Sequence, residues 1–483
     1  MNIFLGLTLA LLLGSGGATR VIVAPASTQT DSGPAAGAAR GPAPTALAAG
    51  ERPNIVVLML DDLPADAAER LLPRMPHIEA LFLEGGQRWT DFHAQDPLCC
   101  PGRAGFLTGL YSRHHGVTKN DGRLFDPRET IATALDREGY QTIHVGKYLN
   151  GVKESGIDRT PPGWDHIALT DNGYYQPWWV DGTYVGRESE YHTEVLAEYA
   201  RGWLREAPAD QPLLISLNPF ATHGSKSGDV ALPVAAPRHK GDARCDGIGR
   251  RATPAYNEAD VSDKPTFIQT LDPVPFAKGW PLRKACESLL SVDDLVGEVR
   301  DELAAQGRSG NTLWILTADN PNQWGDHRWT GKSVPWGTRM PLWTRWPDRT
   351  ASMPTTVDHP AQLNDLAPTI VEVAGGYLGP YPTGQAAPDG ESLLSAMLGS
   401  PPPAREALFI DHPADGGARA WSSVLTTPAS TLGEWRYVEW GDGFRELYDE
   451  VADPWNLENV ADRKQHRRTL NALSGQLDAL RGD

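Results

Sequence analysis

Four short apolar runs in the chain each end in a polar residue, and this pattern restricts the possible folds more than any other feature. The runs are NIVVLMLDD from Asn54, QTIHVGKY from Gln141, PLLISLNPF from Pro212 and NTLWILTADN from Asn311. Continuous apolar runs of this length are typical of strands that are buried on both faces of a parallel sheet. Segments with apolar residues near a 3.6-residue spacing alternate with them and indicate helices. The pattern therefore predicts an α/β fold, in which helices cover both faces of a large mixed, mostly parallel sheet.

Polar residues at the ends of these runs are candidates for a binding site, because ligands of such sheets collect at the carboxyl ends of the strands. The residues that follow the first and last runs and offer oxygen ligands are Asp61, Asp62, Asp319 and Asn320. Sites built from oxygen ligands select hard divalent cations such as Ca²⁺ or Mg²⁺. The aspartates could instead cap the helices that follow the strands. The strand ends by themselves leave both interpretations open.

The segment DPLCCPGRAGFLTG, which begins at Asp96, contains the adjacent cysteines Cys99 and Cys100. Adjacent cysteines are poorly placed to bridge each other, because disulfide geometry requires separated Cα atoms and converging Cβ vectors. The other two cysteines, Cys245 and Cys286, could pair with each other if the chain is exported to an oxidising compartment. That pairing would leave the adjacent thiols unexplained.

The N-terminal residues predict export. In the segment MNIFLGLTLALLLGSGG an apolar run is followed by small residues, which is typical of a secretory signal peptide, here residues 1–23. The run is too short to span a bilayer, so we expect no stable membrane insertion. Residues 24–51 are rich in Ala, Pro and Gly and contain almost no large apolar side chains. We expect them to form a disordered leader, and the mature protein to be periplasmic or extracellular.

The charge balance excludes one class of partner. The chain carries 61 acidic and 44 basic residues, for a net charge of −17. A nucleic acid is therefore not expected as a partner, since its recognition requires a basic surface. An anionic substrate remains compatible with this balance if basic groups are concentrated in one pocket.

The residues from Cys99 onwards read C-x-P-x-R and continue as AGFLTG, which resembles the signature C-x-P-S-R-x-x-x-L-T-G of the type I sulfatases, in the alkaline phosphatase superfamily. Gly102 replaces the serine of that signature. The resemblance covers about residues 52–460, and the further segments that carry it are VGKY, NPFATHG, TADNPNQWGDHRWTGK, DLAPTIVEVAG and ELYDEVADPWNLEN. LCCP and GKYLN are most similar to the branch of N-acetylglucosamine-6-sulfatases and heparan-sulfate sulfatases.

The resemblance implies an alkaline phosphatase-like fold and a hydrolase for sulfate esters, with a sulfated sugar or glycan as the substrate. In this family a formylglycine-generating enzyme oxidises the first cysteine of the signature to formylglycine (3-oxoalanine), which singles out Cys99. One hydroxyl of the aldehyde hydrate attacks sulfur and the second then expels sulfate, whereas a serine would stop at the ester. The implied metal ligands, for Ca²⁺ or Mg²⁺, are Asp61, Asp62, Cys99, Asp319 and Asn320. The implied catalytic residues are Cys99, Arg103, Lys147, His223 and Lys332.

Two departures from the family pattern concern the site. Leu149 stands where many relatives carry a histidine, and Pro321 replaces the glycine after Asn320. Proline fixes φ and lacks the backbone N–H, so the geometry of this loop could differ from that of relatives. His115 could line the pocket or cap a helix. The pair at residues 178–179, both tryptophans, is the best candidate for a platform on which a sugar stacks.

The expected organisation is a sulfatase catalytic domain over 52–400 and a C-terminal subdomain over 401–483 with a small antiparallel sheet and a terminal helix. Two other functions remain compatible with the sequence. One is a phosphonate or phosphate monoester hydrolase of the same superfamily. The other is a non-catalytic protein that binds anionic glycans and keeps Cys99 unmodified.

Overall fold

The structure of the chain is a computed structural model that describes residues 52–152, 159–225, 231–400, 405–413 and 420–482. All of these residues belong to the compact unit Pro44–Asp483. The predicted signal peptide and leader lie outside the described residues. Among the described residues, every helix is too short or too polar to cross a lipid bilayer.

The strands and helices are numbered in chain order. The strands are β1 Asn54–Leu60, β2 Gln87–Trp89, β3 Phe92–His93, β4 Gln141–Lys147, β5 His166–Thr170, β6 Trp178–Val180, β7 Thr183–Gly186, β8 Leu213–Asn218, β9 Arg250–Arg251, β10 Trp280–Pro281, β11 Thr312–Ala318, β12 Leu342–Arg345, β13 Thr356–Val357, β14 Ala361–Gln362, β15 Ala407–His412, β16 Trp421–Thr426, β17 Trp435–Trp440 and β18 Arg445–Asp449. The helices are α1 Ala65–Leu71, α2 Pro76–Ile78, α3 Cys99–Thr108, α4 Ser112–His115, α5 Ile131–Arg137, α6 His192–Glu206, α7 Thr266–Gln269, α8 Arg283–Ala305, α9 Pro347–Thr350, α10 Leu366–Val373, α11 Leu394–Met397 and α12 Arg467–Arg481.

The main sheet has ten strands in the order β13-β2-β12-β11-β1-β8-β4-β5-β6-β7. Its centre, β11-β1-β8-β4-β5, is parallel throughout, and the strands on either side of this centre join it antiparallel. The four apolar runs of the sequence form β1, β4, β8 and β11, so the predicted mixed, mostly parallel sheet is confirmed. Because the five central strands run in one direction, their carboxyl ends share one edge.

The alternation of side chains along β1 explains why helices cover both faces of the sheet. Val56 and Leu58 belong to the apolar core on the face covered by α6 and α8. Ile55 and Val57 belong to the core on the other face, which α3, α5 and α10 cover. Every residue of β1 is buried, which accounts for its unbroken apolar sequence.

A second sheet near the C-terminus is antiparallel and has the order β15-β16-β17-β18. One of its faces packs against α12 through Leu470, Leu473 and Leu477. The apolar side chains of its other face include Trp421 and Trp440 and contact residues of the main body of the chain. The predicted small antiparallel sheet and terminal helix are therefore both present.

The structure contradicts one prediction about the surface. Trp178 and Trp179 are buried, with exposures of 0% and 5%, because β6 lies inside the sheet between β5 and β7. Trp178 packs beside His192 and Tyr199 of α6. Neither tryptophan offers a free face to a sugar, so the proposed stacking platform is wrong.

The sequence left open whether Cys245 and Cys286 pair. The structure has this disulfide, with the Cα atoms 5.8 Å apart. Cys286 lies in the first turn of α8, and Cys245 lies in a short 3₁₀ turn that precedes β9. The bridge therefore ties the long connection between β8 and α8 to the main body.

We expect the double substitution Cys245→Ser and Cys286→Ser to lower the free energy of unfolding by about 2–4 kcal/mol. The bridge joins residues that are 41 positions apart, and its loss frees that loop in the unfolded chain. Urea denaturation of the variant and the oxidised wild type, followed by fluorescence, measures the difference. A difference below about 1 kcal/mol would contradict a stabilising role for the bridge.

Candidate active site

Cys99 is the first residue of α3 and is buried. The preceding Leu98 has extended backbone and offers no capping side chain, but Asn120 Oδ1 accepts a hydrogen bond of 2.9 Å from the Cys100 N–H. This bond satisfies one of the free donors at the helix start. Gly109, with φ of +78°, ends the helix. Cys99 thus lies at the positive end of the helix dipole, where negative charge is stabilised.

The carboxyl edge of the central strands brings four polar residues beside α3. Asp61 follows β1 and Asp319 follows β11, while Lys147 and Asn218 are the last residues of β4 and β8. All four are buried. Their separation along the chain reflects the order of the strands, and the sheet brings them to one place.

Arg103 of α3 joins these strand ends through its guanidinium group. Its Nε donates to Asp319 Oδ2 at 2.8 Å, and its Nη1 donates to the Lys147 carbonyl at 2.7 Å and to Asn218 Oδ1 at 3.1 Å. Lys147 Nζ in turn donates to Asp61 Oδ2 at 2.6 Å. The buried charges therefore form one connected network.

Asp62 is held from several sides. Its backbone is left-handed, with φ of +66°, and its N–H donates to Asp319 Oδ1 at 3.2 Å. Asn320 Nδ2 donates to Asp62 Oδ1 at 2.9 Å, and Asn322 Nδ2 donates to Oδ2 at 3.1 Å. Lys332 Nζ forms an ion pair with the same carboxylate. The left-handed conformation is uncommon outside glycine, asparagine and aspartate, and here the surrounding contacts fix it.

Two basic side chains face Cys99. Lys332 Nζ lies 2.6 Å from Cys99 Sγ. His223 Nδ1 donates to the Gly224 carbonyl at 2.7 Å, which leaves Nε2 facing the site, 3.4 Å from Asp62 Oδ2. The ring is therefore oriented by the neighbouring backbone carbonyl, and its other nitrogen points toward the cluster.

Burial and opposite charges act in different directions on the aspartates. Burial and the Asp319 carboxylate raise the pKa of Asp61, and Lys147 offsets this effect only in part. Burial alone would raise the pKa of Asp62 too, but His223 and Lys332 outweigh it and lower that pKa. Asp61 is thus the carboxylate that lacks sufficient positive charge.

Two features fit a cation at this place. Ligand atoms of Asp61, Asp62, Cys99 and His223 all lie within 4.8 Å of one another. Asp61 Oδ1 and Asn320 Oδ1 are buried without a hydrogen-bond donor among the described residues. Unpartnered buried acceptors are rare in proteins, and a hard cation is the partner that oxygen ligands of this kind prefer. The residues present therefore fit the implied metal.

The residues that the sequence singled out differ in their surroundings, and three of them show this. Asp319 uses both carboxylate oxygens within the protein, one toward the Asp62 N–H and one toward Arg103. Leu149, at the place of the expected histidine, packs in an apolar core. His115 is the last residue of α4, where its Nδ1 accepts from the Val117 N–H at 3.1 Å and burial lowers its pKa to about 3.

Three asparagines that shape the site were not among the residues predicted from the sequence: Asn120, Asn218 and Asn322. Asn218 ends β8, so the rule that found the aspartates at strand ends could also have found it. Asn120 and Asn322 lie in loops, and their contacts with Cys100 and Asp62 had no periodic signal in the sequence.

A mostly parallel sheet with buried carboxylates at its carboxyl edge and a candidate nucleophile at a helix start is the arrangement expected of an alkaline phosphatase-like hydrolase. The family model "Sulfatase" matches residues 53–377, which is more than half of the chain. The chain therefore belongs to the sulfatase family, and the enzyme class is that of the sulfuric ester hydrolases.

Known relatives agree with this assignment. The chain is similar to the extracellular sulfatase SULF-1 homolog of Drosophila melanogaster, with 29% identity over 372 residues, which cover 72% of this chain and 31% of that protein. It thus spans about a third of that relative's length. It is also similar to N-acetylglucosamine-6-sulfatase of Homo sapiens, with 28% identity over 481 residues, covering 85% of this chain and 81% of that protein.

The fold agrees with a solved structure as well. A protein whose structure was solved in complex with its substrate D-glucosamine-2-N,6-O-disulfate superposes with a TM-score of 0.72 and 21% identity. The match covers 89% of this chain and 98% of that chain. At this identity the likeness concerns the fold, and it confirms the alkaline phosphatase-like arrangement.

Gly102 stands at the position of the signature serine, and the structure gives a reason for glycine. A Cβ atom at residue 102 would lie 2.3 Å from the backbone carbonyl oxygen of Asp319. Atoms at that distance overlap, and a backbone oxygen cannot move without shifting the loop that carries Asp319 and Asn320. The absence of a side chain therefore lets this loop pack directly on α3.

We expect Gly102→Ala and Gly102→Ser to lower kcat/KM for a sulfate ester at least about tenfold, because the overlap displaces the Asp319 loop. Steady-state kinetics tests this, and mass spectrometry of residue 99 shows whether maturation is unchanged. Gly202→Ala in α6 is the matched control, since a Cβ there meets no atom within 4 Å. Equal kinetics in wild type and both Gly102 variants would contradict the packing argument.

Proposed function

We propose that the chain is an exported sulfatase that hydrolyses sulfate esters of a sugar or glycan, with formylglycine at position 99 and a bound divalent cation, Ca²⁺ or Mg²⁺. The observation that carries this proposal is the convergence of Asp61, Asp62, His223 and Lys332 on Cys99 at the start of α3.

The surroundings of the two adjacent cysteines support Cys99 as the residue that is modified. Cys100 belongs to an apolar core, and its Sγ accepts a hydrogen bond of 3.1 Å from the Asn150 N–H. Burial raises the pKa of the Cys100 thiol to about 12, so the thiol stays protonated at neutral pH and is a poor nucleophile. Cys99 instead faces Lys332 and the carboxylates. An aldehyde hydrate at that position would supply one hydroxyl to attack sulfur and a second to release sulfate.

The cation would be held by Asp61, Asp62, Asp319 and Asn320 together with the modified residue 99. When bound, it would polarise a sulfate oxygen and favour ionisation of the attacking hydroxyl. The protein itself balances the three carboxylates with Arg103, Lys147 and Lys332, so its own charges nearly cancel. A divalent cation would therefore leave the site positive enough to bind an anionic ester.

The basic residues have separate roles in this proposal. Arg103 fixes Asp319 and the end of β4 and braces the start of α3. Lys147 donates to Asp61 Oδ2 and offsets part of its negative charge. Lys332, with a side-chain exposure of 12%, is more exposed than Arg103 and Lys147 and would contact the sulfate group. His223 would protonate the departing sugar oxygen through Nε2, since its Nδ1 is held by the Gly224 carbonyl.

Export is supported by the disulfide between Cys245 and Cys286, because such bonds persist in oxidising compartments. We assign catalysis to residues 52–400, and regard 401–483 as a subdomain that supports it. A sulfated sugar is the proposed substrate, since relatives of the chain are named N-acetylglucosamine-6-sulfatase. Glucosamine 6-sulfate is therefore the first substrate to test.

The reaction class is tested with a sulfate ester and a phosphonate ester that carry the same leaving group. We expect kcat/KM for the sulfate ester to exceed that for the phosphonate ester by at least about a hundredfold, since the site would match one transition state better than the other. Loss of turnover on removal of divalent cations, with recovery on adding Ca²⁺ or Mg²⁺, is expected in the same assay. Preferential hydrolysis of the phosphonate would favour the alternative hydrolase.

Mass spectrometry of the peptide that contains residues 96–103 from natively produced protein should show formylglycine at position 99 and a thiol at position 100. We expect Cys99→Ser to bind substrate but to stop after at most one sulfation event, because serine lacks the second hydroxyl. Cys100→Ser is the matched control and should keep steady turnover, since its hydroxyl can accept the same hydrogen bond from Asn150. Steady turnover by Cys99→Ser, or an intact thiol at position 99, would refute the mechanism.

A further inference from the structure

The loop of residues 323–338, which carries Lys332, has little regular structure of its own. Its position relative to α3 nevertheless decides whether Lys332 Nζ can lie 2.6 Å from the side chain of residue 99. At its centre, Ser333 has left-handed backbone, with φ of +67°, and its N–H donates to the Pro97 carbonyl at 3.1 Å. This bond, together with the one from the Ala94 N–H to the Thr338 carbonyl at 2.9 Å, connects the loop to the segment that precedes α3.

The C-terminal sheet contacts both segments, the Lys332 loop and the residues before α3. Trp421, the first residue of β16, donates its indole N–H to the Ser333 carbonyl at 3.0 Å. His412, the last residue of β15, bonds through Nδ1 to Asp96 Oδ1 at 2.9 Å, three residues before Cys99. The two residues are directly opposite each other in the β15–β16 register. One cross-strand pair thus contacts the Lys332 loop and the segment before α3.

We propose that Trp421 and His412 are positioning residues, which set the distance between Lys332 and residue 99. Both side chains are buried, with exposures of 2% and 0%, so each hydrogen bond forms away from bulk water. The fixed spacing of paired residues across a sheet makes the pair a rigid spacer. This inference rests on the proposed function, in which Lys332 acts on the sulfate group.

The same sheet offers a matched control. Trp440 is the register partner of Trp421 on β17 and is equally buried. Its indole N–H donates to Glu446 Oε2 at 2.9 Å, within the sheet, and makes no contact with the Ser333 carbonyl. Replacing either tryptophan by phenylalanine removes one buried N–H donor and keeps an aromatic ring. Trp440 contacts the Lys332 loop through its ring, 6.4 Å from the Trp336 ring, whereas Trp421 contacts it through a hydrogen bond, so the change at Trp421 removes that bond and the change at Trp440 does not.

The experiment compares Trp421→Phe and Trp440→Phe with wild type. For Trp421→Phe we expect kcat to fall at least about tenfold with KM changed less than about threefold, because a displaced catalytic group slows the chemical step. Amide hydrogen exchange should be at least about tenfold faster in peptides around Ser333. For Trp440→Phe we expect wild-type kcat and wild-type exchange in those peptides.

A double-mutant cycle distinguishes positioning from a general loss of structure. If Trp421 acts through Lys332, the effect of Trp421→Phe should shrink below about threefold in a Lys332→Ala background. An aryl sulfate with a good leaving group keeps the residual turnover measurable. Additive losses, equal losses in both tryptophan variants, or unchanged kcat and exchange in Trp421→Phe would overturn the proposal. If that variant does not fold, His412→Asn is tested by the same criteria.

The two hypotheses fail in different ways. A correctly matured wild type without sulfatase turnover would refute the proposed function, and unchanged hydrogen exchange around Ser333 in Trp421→Phe would then also refute the positioning role. An active wild type with an equally active Trp421→Phe variant would refute only the positioning role.

Discussion

The buried guanidinium of Arg103 is the interaction on which the rest of the site depends. An arginine with an exposure of only 2% must have its charge paired within the protein, because an unpaired buried charge is strongly destabilising. Its partners come from the ends of β4, β8 and β11. The helix that begins with Cys99 is therefore locked onto the sheet edge by the charge it carries. Gly102, one residue earlier, allows the close approach that these hydrogen bonds require.

Around this centre the molecule uses two sheets in different ways. The main sheet is buried on both faces, so its parallel strands deliver Asp61, Lys147 and Asp319 to one edge at fixed spacing. The C-terminal sheet contributes through His412 and Trp421 at the ends of its strands, which contact the segment before α3 and the Lys332 loop. The strands of the main sheet thus hold the fully buried groups of the site. Lys332 is more exposed and comes from an irregular loop, so contacts from other elements must fix its position.

Particular residues show which features of the structure could be predicted from the sequence and which could not. The strand pattern located β1, β4, β8 and β11 because burial on both faces requires unbroken apolar runs. The prediction of a sugar platform at residues 178–179 was wrong, because an aromatic pair has the same sequence pattern whether it faces solvent or packs against a neighbouring helix. Asn120 and Asn322 could not be identified, because a hydrogen bond from a loop to a distant element leaves no local pattern in the chain.

The amino-acid sequence alone determined the α/β class, the polar residues at the strand ends and the C-x-P-x-R signature that marks Cys99. These features are local, since they depend on periodicity and on neighbours along the chain. Only the tertiary structure decided that Lys332 meets residue 99, that Asp61 and Asn320 present oxygens with no donor in the part of the chain that the structure describes, and that Trp421 donates a hydrogen bond to Ser333 in the loop that carries Lys332. Those contacts join residues separated by many positions, and the packing of sheets and loops creates them.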